Sequence, residues 1–124
     1  MARVFISFAI EDKNLRDLLR GQSLNTRTPF EFTDMSVKEP WNSEWKTQCR
    51  TRIKSCNGVI GIITANTPKA DGQIWELKCA YEEQVSVLLI YGNSSRPSWT
   101  PDIIAGKRVH LWSWDTIANF ISGL

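Results

Sequence analysis

Histidine is almost missing from this chain: His110 is the single one in 124 residues. That excludes a histidine-built metal centre, and no Cys-x-x-Cys pair is present to replace it. A Ser-His or Cys-His nucleophile would have to use His110, which lies in a late apolar segment with no neighbouring signature. Long apolar runs are missing too. The longest, Val85 to Tyr91, is about seven residues, whereas a membrane helix needs roughly 18 or more. No Gly-x-x-x-x-Gly-Lys phosphate loop occurs, and no Gly-x-Gly-x-x-Gly follows the first strand pattern. Charge of one sign is also lacking. Fifteen Lys and Arg stand against 13 Asp and Glu, a net charge of +2 with no basic block, so charge gives no nucleic-acid footprint.

Repeats, low-complexity tracts and linkers are absent as well, which gives the expectation of one domain over residues 1–124. The three cysteines, Cys49, Cys56 and Cys79, are odd in number and fall in helix-like stretches. They read as reduced thiols of a cytoplasmic protein. A strand pattern starts at once, without the pattern of a secretion signal.

What is present is a regular alternation of apolar strand patterns and helical patterns in a chain that is 42% hydrophobic. Val4 to Phe8 is near-continuously apolar, as a strand covered on both faces should be. Asp12 to Arg20 reads as a helix capped by Asp12, with Leu15, Leu18 and Leu19 as its apolar stripe. Phe30 to Phe32 alternates like a short strand near an edge. The polar loop Thr33 to Trp41 follows, and then a helix capped by Ser43 runs to about Lys54, with Trp45, Cys49 and Ile53 on one face. Val59 to Thr64 is another buried strand. Ile74, Leu77 and Tyr81 mark the core face of a third helix. Val85 to Tyr91 and Val109 to Trp112 complete the strands, and Asp115 caps a last helix through Phe120.

Strands and helices in this order predict an α/β fold of flavodoxin-like architecture: an open parallel five-stranded sheet, order 2-1-3-4-5, with helices on both faces. Ligands of such sheets bind beyond the carboxyl ends of the strands at the topological switch point. That rule selects Ser7 to Asp12, Asp34 to Trp41, and the stretch from Thr64 into the third helix. A phospho-receiver domain shares this architecture, but the third strand ends Ile63-Thr64-Ala65, without the phospho-accepting aspartate.

Each polar residue in these stretches has two readings. Ser7 is either a small buried residue bonded to backbone or a hydroxyl offered at a strand tip. Glu76 is about 200° round the helix from Ile74, flanking the expected stripe. There it is either a solvated carboxylate or one that faces the crevice, kept ionised by the helix N-terminus. The six tryptophans (41, 45, 75, 99, 112 and 114) read first as packing residues. Trp75 is the same, and Trp41 is either a loop anchor or a nucleotide contact.

Five segments together resemble a known family: Arg3-Val-Phe-Ile-Ser-Phe8, Phe32-Thr-Asp-Met-Ser-Val-Lys-Glu-Pro40, the helix around Gln48 to Ile53, Gly58-Val-Ile-Gly-Ile-Ile-Thr64 and Ile74-Trp-Glu-Leu77. Their order and spacing are similar to those of the bacterial TIR-like domains, especially the one in the Thoeris anti-phage defence system. The resemblance implies a TIR fold and an enzyme that cleaves NAD, releasing nicotinamide and forming a cyclic ADP-ribose isomer. That product would signal to a separate effector protein. NAD is then a substrate, and neither cofactor nor metal is implied. Glu76 matches the family's catalytic glutamate. Ser7 and Phe8 match its first strand tip, and Asp34 through Pro40, with Ser36, match its loop after the second strand. Trp41 and Trp75, with Phe8, are candidate aromatic walls for the substrate. Self-assembly is a further implied property, whereas membrane and nucleic-acid partners are not expected. Pro68 to Gln73 departs from the family by lacking a second aromatic before the glutamate. Two other readings stay open: a non-catalytic TIR-like interaction module that assembles through Asp34 to Trp41, and a nucleoside deoxyribosyltransferase-like enzyme.

Overall fold

Five parallel strands form one sheet in the order β2-β1-β3-β4-β5 in a computed structural model that describes residues 1–24 and 29–124. The strands are β1 (Arg3–Ser7), β2 (Glu31–Thr33), β3 (Gly58–Ile63), β4 (Ser86–Tyr91) and β5 (Val109–His110). The helices are α1 (Lys13–Gln22), α2 (Ser43–Lys54), α3 (Asp71–Glu82) and α4 (Trp114–Ser122). The expected flavodoxin-like α/β order is therefore the observed one. None of the described helices is long and apolar enough to cross a membrane.

Strand alternation sorts the core into two layers. Val4, Ile6 and Phe8 pack with Leu19, Ile60, Ile62 and Ile117 on the side of α1 and α4. Phe5 packs with Trp45, Cys49, Val59, Ile63 and Leu77 on the side of α2 and α3. Because successive side chains of a strand point to opposite faces, Ser7 falls on the same side as Phe5, toward α3. This period of two positions the site described below.

Gly61 lets α3 come close. It pairs with Ser7 in register, and a β-carbon there would stand 2.9 Å from Leu89 Cδ2 and 3.1 Å from Leu77 Cδ2. With no side chain at Gly61, Leu77 of α3 seats directly on the sheet beside β1.

Several local expectations need correction. Asp12 does not cap α1 with its side chain. Its carboxylate instead accepts hydrogen bonds from Thr64 Oγ1 (2.5 Å) and Asn66 Nδ2 (3.0 Å), binding the start of α1 to the end of β3. Asn42, not Ser43, caps α2 by accepting from the Trp45 amide at 3.0 Å. Ser113, not Asp115, caps α4 by accepting from the Thr116 amide at 3.2 Å. In both cases the helix starts slightly earlier than expected, so the expected cap lies inside its first turn. Leu18 is exposed, leaving Leu19 as the buried anchor of α1. β5 stops at His110. Beyond it Trp112 donates its Nε1 proton to Gln22 Oε1 at 3.1 Å, tying the chain to the end of α1. Of the tryptophans, Trp45 is buried, Trp75, Trp112 and Trp114 pack at the margins of the two layers, and Trp41 and Trp99 are exposed.

Candidate functional site

At the carboxyl ends of β1 and β3 the buried groups turn polar. Ser7, Asp12, Thr64, Thr67, Gln73 and Glu76 are all buried there. Thr67 Oγ1 accepts from the Thr64 amide (3.0 Å) and Thr64 Oγ1 accepts from the Asn66 amide (3.1 Å), so the turn after β3 is fixed before α3 begins.

Glu76 occupies the centre of this cluster and is 0% exposed. Ser7 Oγ donates to its Oε1 at 2.9 Å, and Lys38 Nζ donates to its Oε2 at 2.6 Å. The expectation of a carboxylate flanking the apolar stripe is thus corrected. The buried face of α3 is Gly72, Gln73, Glu76, Leu77, Cys79 and Ala80, with Ile74 and Tyr81 only half-buried. It is rotated by roughly 100° from the expected stripe. Ala80, apolar and three residues after Leu77 on one face with it, is the signal that could have revealed the rotation.

Electrostatics at Glu76 also differ from expectation. Burial pushes its carboxyl up from 4.5 to about 7, although Lys38 and the Ser7 hydroxyl pull the other way. The helix N-terminus therefore does not keep this carboxyl acidic; loss of water outweighs the ammonium beside it. Cys49 and Cys79, near Glu76 on α2 and α3, are pushed upward by burial as well and stay as thiols.

Sequence reasoning missed Lys38, a loop lysine with no periodic signal. Its loop is clamped at three points. Arg16 Nη1 donates to Asp34 Oδ2 at 3.0 Å. Arg52 Nη1 donates to the Asp34 carbonyl. Trp45 Nε1 donates to the Val37 carbonyl at 2.7 Å. The ammonium that results sits 4.0 Å from the centroid of the Phe8 ring, and the Arg16 guanidinium is 5.2 Å from the same ring.

The expected site residues therefore divide. Ser7, Phe8 and Glu76 come together around Lys38. Phe8 is fully buried and underlies Lys38 instead of forming an open wall. Asp34 holds the loop through Arg16. Ser36 is exposed and makes no contact with Glu76 among the described hydrogen bonds. Trp41 is 79% exposed. It stands between two cavities, one of about 230 Å³ that includes Glu11, Lys38, Lys69, Gly72 and Gln73, and one of about 340 Å³ that includes Lys46, Ile74, Trp75 and Lys78. Trp75 faces the second cavity and not Glu76, with Lys46, Arg50 and Lys78 at 5.0, 5.2 and 5.4 Å from its ring. A larger cavity of about 510 Å³ lies along Thr33, Thr51 and Arg52 and contains no carboxylate. The groups gathered at the β1 tip are thus the Glu76 carboxyl, which titrates near neutrality, the Lys38 ammonium, the Ser7 hydroxyl and the Gln73 carboxamide. His110 is on β5, at the far edge of the sheet from β2.

Compared with protein-family models and with curated proteins, the chain matches none.

Proposed function

We propose that this protein is an NAD-cleaving enzyme of the TIR-like kind, with Glu76 as its catalytic residue. The observation that carries the reading is the placement of Glu76: a fully buried carboxylate at the switch point of the sheet, held by Ser7 and Lys38. Nicotinamide in NAD is a cationic leaving group. When its bond to ribose breaks, the electron pair stays on the pyridine nitrogen and nicotinamide departs neutral. No general acid is required, which suits a site without histidine. The positive charge passes to the ribosyl carbon and ring oxygen, as in glycoside cleavage. An ionised Glu76 in a water-poor setting stabilises that cation. Attack at the carbon by water gives ADP-ribose, while attack by a nucleophile of the same molecule gives a cyclic product. Lys38 has to leave Glu76 for the ribose to approach.

On this reading the product signals to a separate effector protein in anti-phage defence. The three free, buried cysteines fit the cytoplasm, where NAD is available. The test is incubation of the purified protein with NAD, at high protein concentration as well as low, with nicotinamide and ADP-ribose products followed by mass spectrometry. Nicotinamide release that Glu76→Gln abolishes is the expected result. Release that survives Glu76→Gln removes the site assignment, and no release under any condition removes the enzyme.

A second reading rests on Val37 and Trp41, large apolar side chains exposed on the loop after β2. They suit a loop that assembles with a second copy. If the chain is only an interaction module, Trp41→Ser reduces self-association while Glu76→Gln has no consequence.

A further inference from the structure

Gln73 is uncharged, polar and 1% exposed. Its Nε2 donates to two backbone carbonyls, Ser7 O at 3.1 Å and Ile62 O at 2.7 Å. These two acceptors fix the carboxamide, because the opposite orientation would set its oxygen against two carbonyl oxygens. Oε1 is left buried without a donor. Among the described residues it is the one buried side-chain nitrogen or oxygen without a partner. An unpaired buried acceptor is a standing cost to the fold, and it calls for a partner such as a bound ligand or an internal water.

The surroundings say what that ligand carries. Gln73 lines the 230 Å³ cavity together with Lys38 and Trp41. It precedes Glu76 by three residues on one helical face, and both contact Ser7, one at its carbonyl and the other at its hydroxyl. Lys38 donates its hydrogen bond to Glu76 and not to Gln73. Gln73 Oε1 has no donor, and Glu76 Oε2, three residues on along the same helical face, has Lys38 as its donor, so a ligand that displaces Lys38 meets two acceptors from one face of α3. Two neighbouring acceptors call for two neighbouring donors, and a ribose offers them as its cis-diol.

We infer that Gln73 Oε1 is a recognition acceptor for a ribose hydroxyl, paired with Glu76 for the other, so that the site selects ribosyl over deoxyribosyl ligands. This rests on the proposed reading of Glu76 as the group that meets the sugar. It adds a specificity residue and separates the site from one built for deoxynucleosides.

The test uses the full chain with its glutamines labelled with ¹⁵N, the Gln73 side-chain amide pair being assigned by its loss in Gln73→Met. The probe is ADP-ribose, compared with its analogues that lack the 2′ or 3′ hydroxyl on the ribose distal to adenine. ADP-ribose is expected to shift the Gln73 pair and to bind on the order of ten-fold more tightly than either analogue. Equal affinities for the three ligands, or a Gln73 pair that no ligand moves because an internal water fills Oε1, overturns the inference. The ligand comparison is made in the wild-type chain, so it holds even if Gln73→Met folds poorly. Nicotinamide release from NAD is measured in the same preparations. Diol preference without release sinks the NAD-cleaving reading alone, and release without diol preference sinks this inference alone.

Discussion

Lys38 lies across α3 at Gly72, the position where that helix has no side chain. A β-carbon on Gly72 would stand 3.1 Å from Lys38 Cβ, 3.3 Å from Cδ and 3.4 Å from Cγ. These are stem atoms, and the closest is bonded to the loop backbone. The lysine can therefore reach Glu76 only if residue 72 stays small.

Gly72→Ala is accordingly expected to displace Lys38 and loosen its 2.6 Å bond to Glu76. Alanine favours the helix by up to about 1 kcal/mol over glycine, which offsets part of the crowding, so the change in overall stability should stay within about 1 kcal/mol. The readout is the side-chain carboxyl of Glu76 titrated by carbon NMR. Its midpoint should move above the wild-type value of about 7. An unchanged midpoint would show that the lysine stem accommodates the methyl group.

Lys38→Met takes the same argument to its limit. Among the groups acting on the Glu76 carboxyl, Lys38 and Ser7 hold it down, and burial and the Asp34 charge push it up. Removing the ammonium leaves the upward influences in charge. Nicotinamide release that needs ionised Glu76 should fall at pH 7, because the midpoint rises, and recover at higher pH. The acidic limb of the pH–rate profile decides the point. A profile that keeps its midpoint while the rate changes would mean that Lys38 acts only by covering the site.

The architecture was legible because apolar patterning reports burial. The near-continuous apolar runs of Val4 to Phe8 and of β3 marked buried strands, whereas the side of the sheet that Ser7 faces came only with the packing of Ile6 and Phe8 against α1 and α4. Glu76 stood out by its Trp-Glu context, but its burial did not. α3 is buried over a broad arc that includes two polar residues, and a stripe defined by Ile74, Leu77 and Tyr81 points to its margin. Lys38 was illegible for a different reason. Its position follows from Trp45 holding the Val37 carbonyl, from Arg16 and Arg52 holding Asp34, and from the bare helix at Gly72, contacts that join four elements distant in sequence.

Glu76 also leaves a mark on stability. Its carboxyl titrates at about 7 in the folded chain, against 4.5 ordinarily. Between these values the folded chain holds a proton that the unfolded chain has released. The contribution of the protonated group is therefore complete below about 4.5 and is lost as pH rises through about 7. Glu76→Gln is neutral throughout and is free of this loss. Measured by denaturant unfolding, the variant should gain on the wild type between pH 5 and pH 8, by an amount on the order of 3 kcal/mol at most. A constant difference across that range would place the Glu76 midpoint near its ordinary value and remove the case for strong burial.

Two glycines of β3 give the sharpest contrast between packing that serves the site and packing that does not. A β-carbon on Gly58 would meet Leu124 and Phe120 at 3.0 Å, all at the far ends of side chains, one of them on the last residue. Those can yield, and alanine costs the strand less entropy than glycine does. Gly58→Ala should therefore lie within about 0.5 kcal/mol of the wild type. At Gly61 the same methyl group meets Leu89 at 2.9 Å and Leu77 at 3.1 Å, and both leucines are buried in the layer beneath α3. Overpacking of this kind costs about 1–3 kcal/mol. Because Leu77 adjoins Glu76, relief by outward movement of α3 also lengthens the 2.9 Å bond from Ser7. Gly61→Ala should thus lose both stability and nicotinamide release, whereas Gly58→Ala loses neither. Paired unfolding curves and rates for the two variants check this. Equal behaviour would mean that α3 does not owe its approach to β1 to the missing side chain at residue 61.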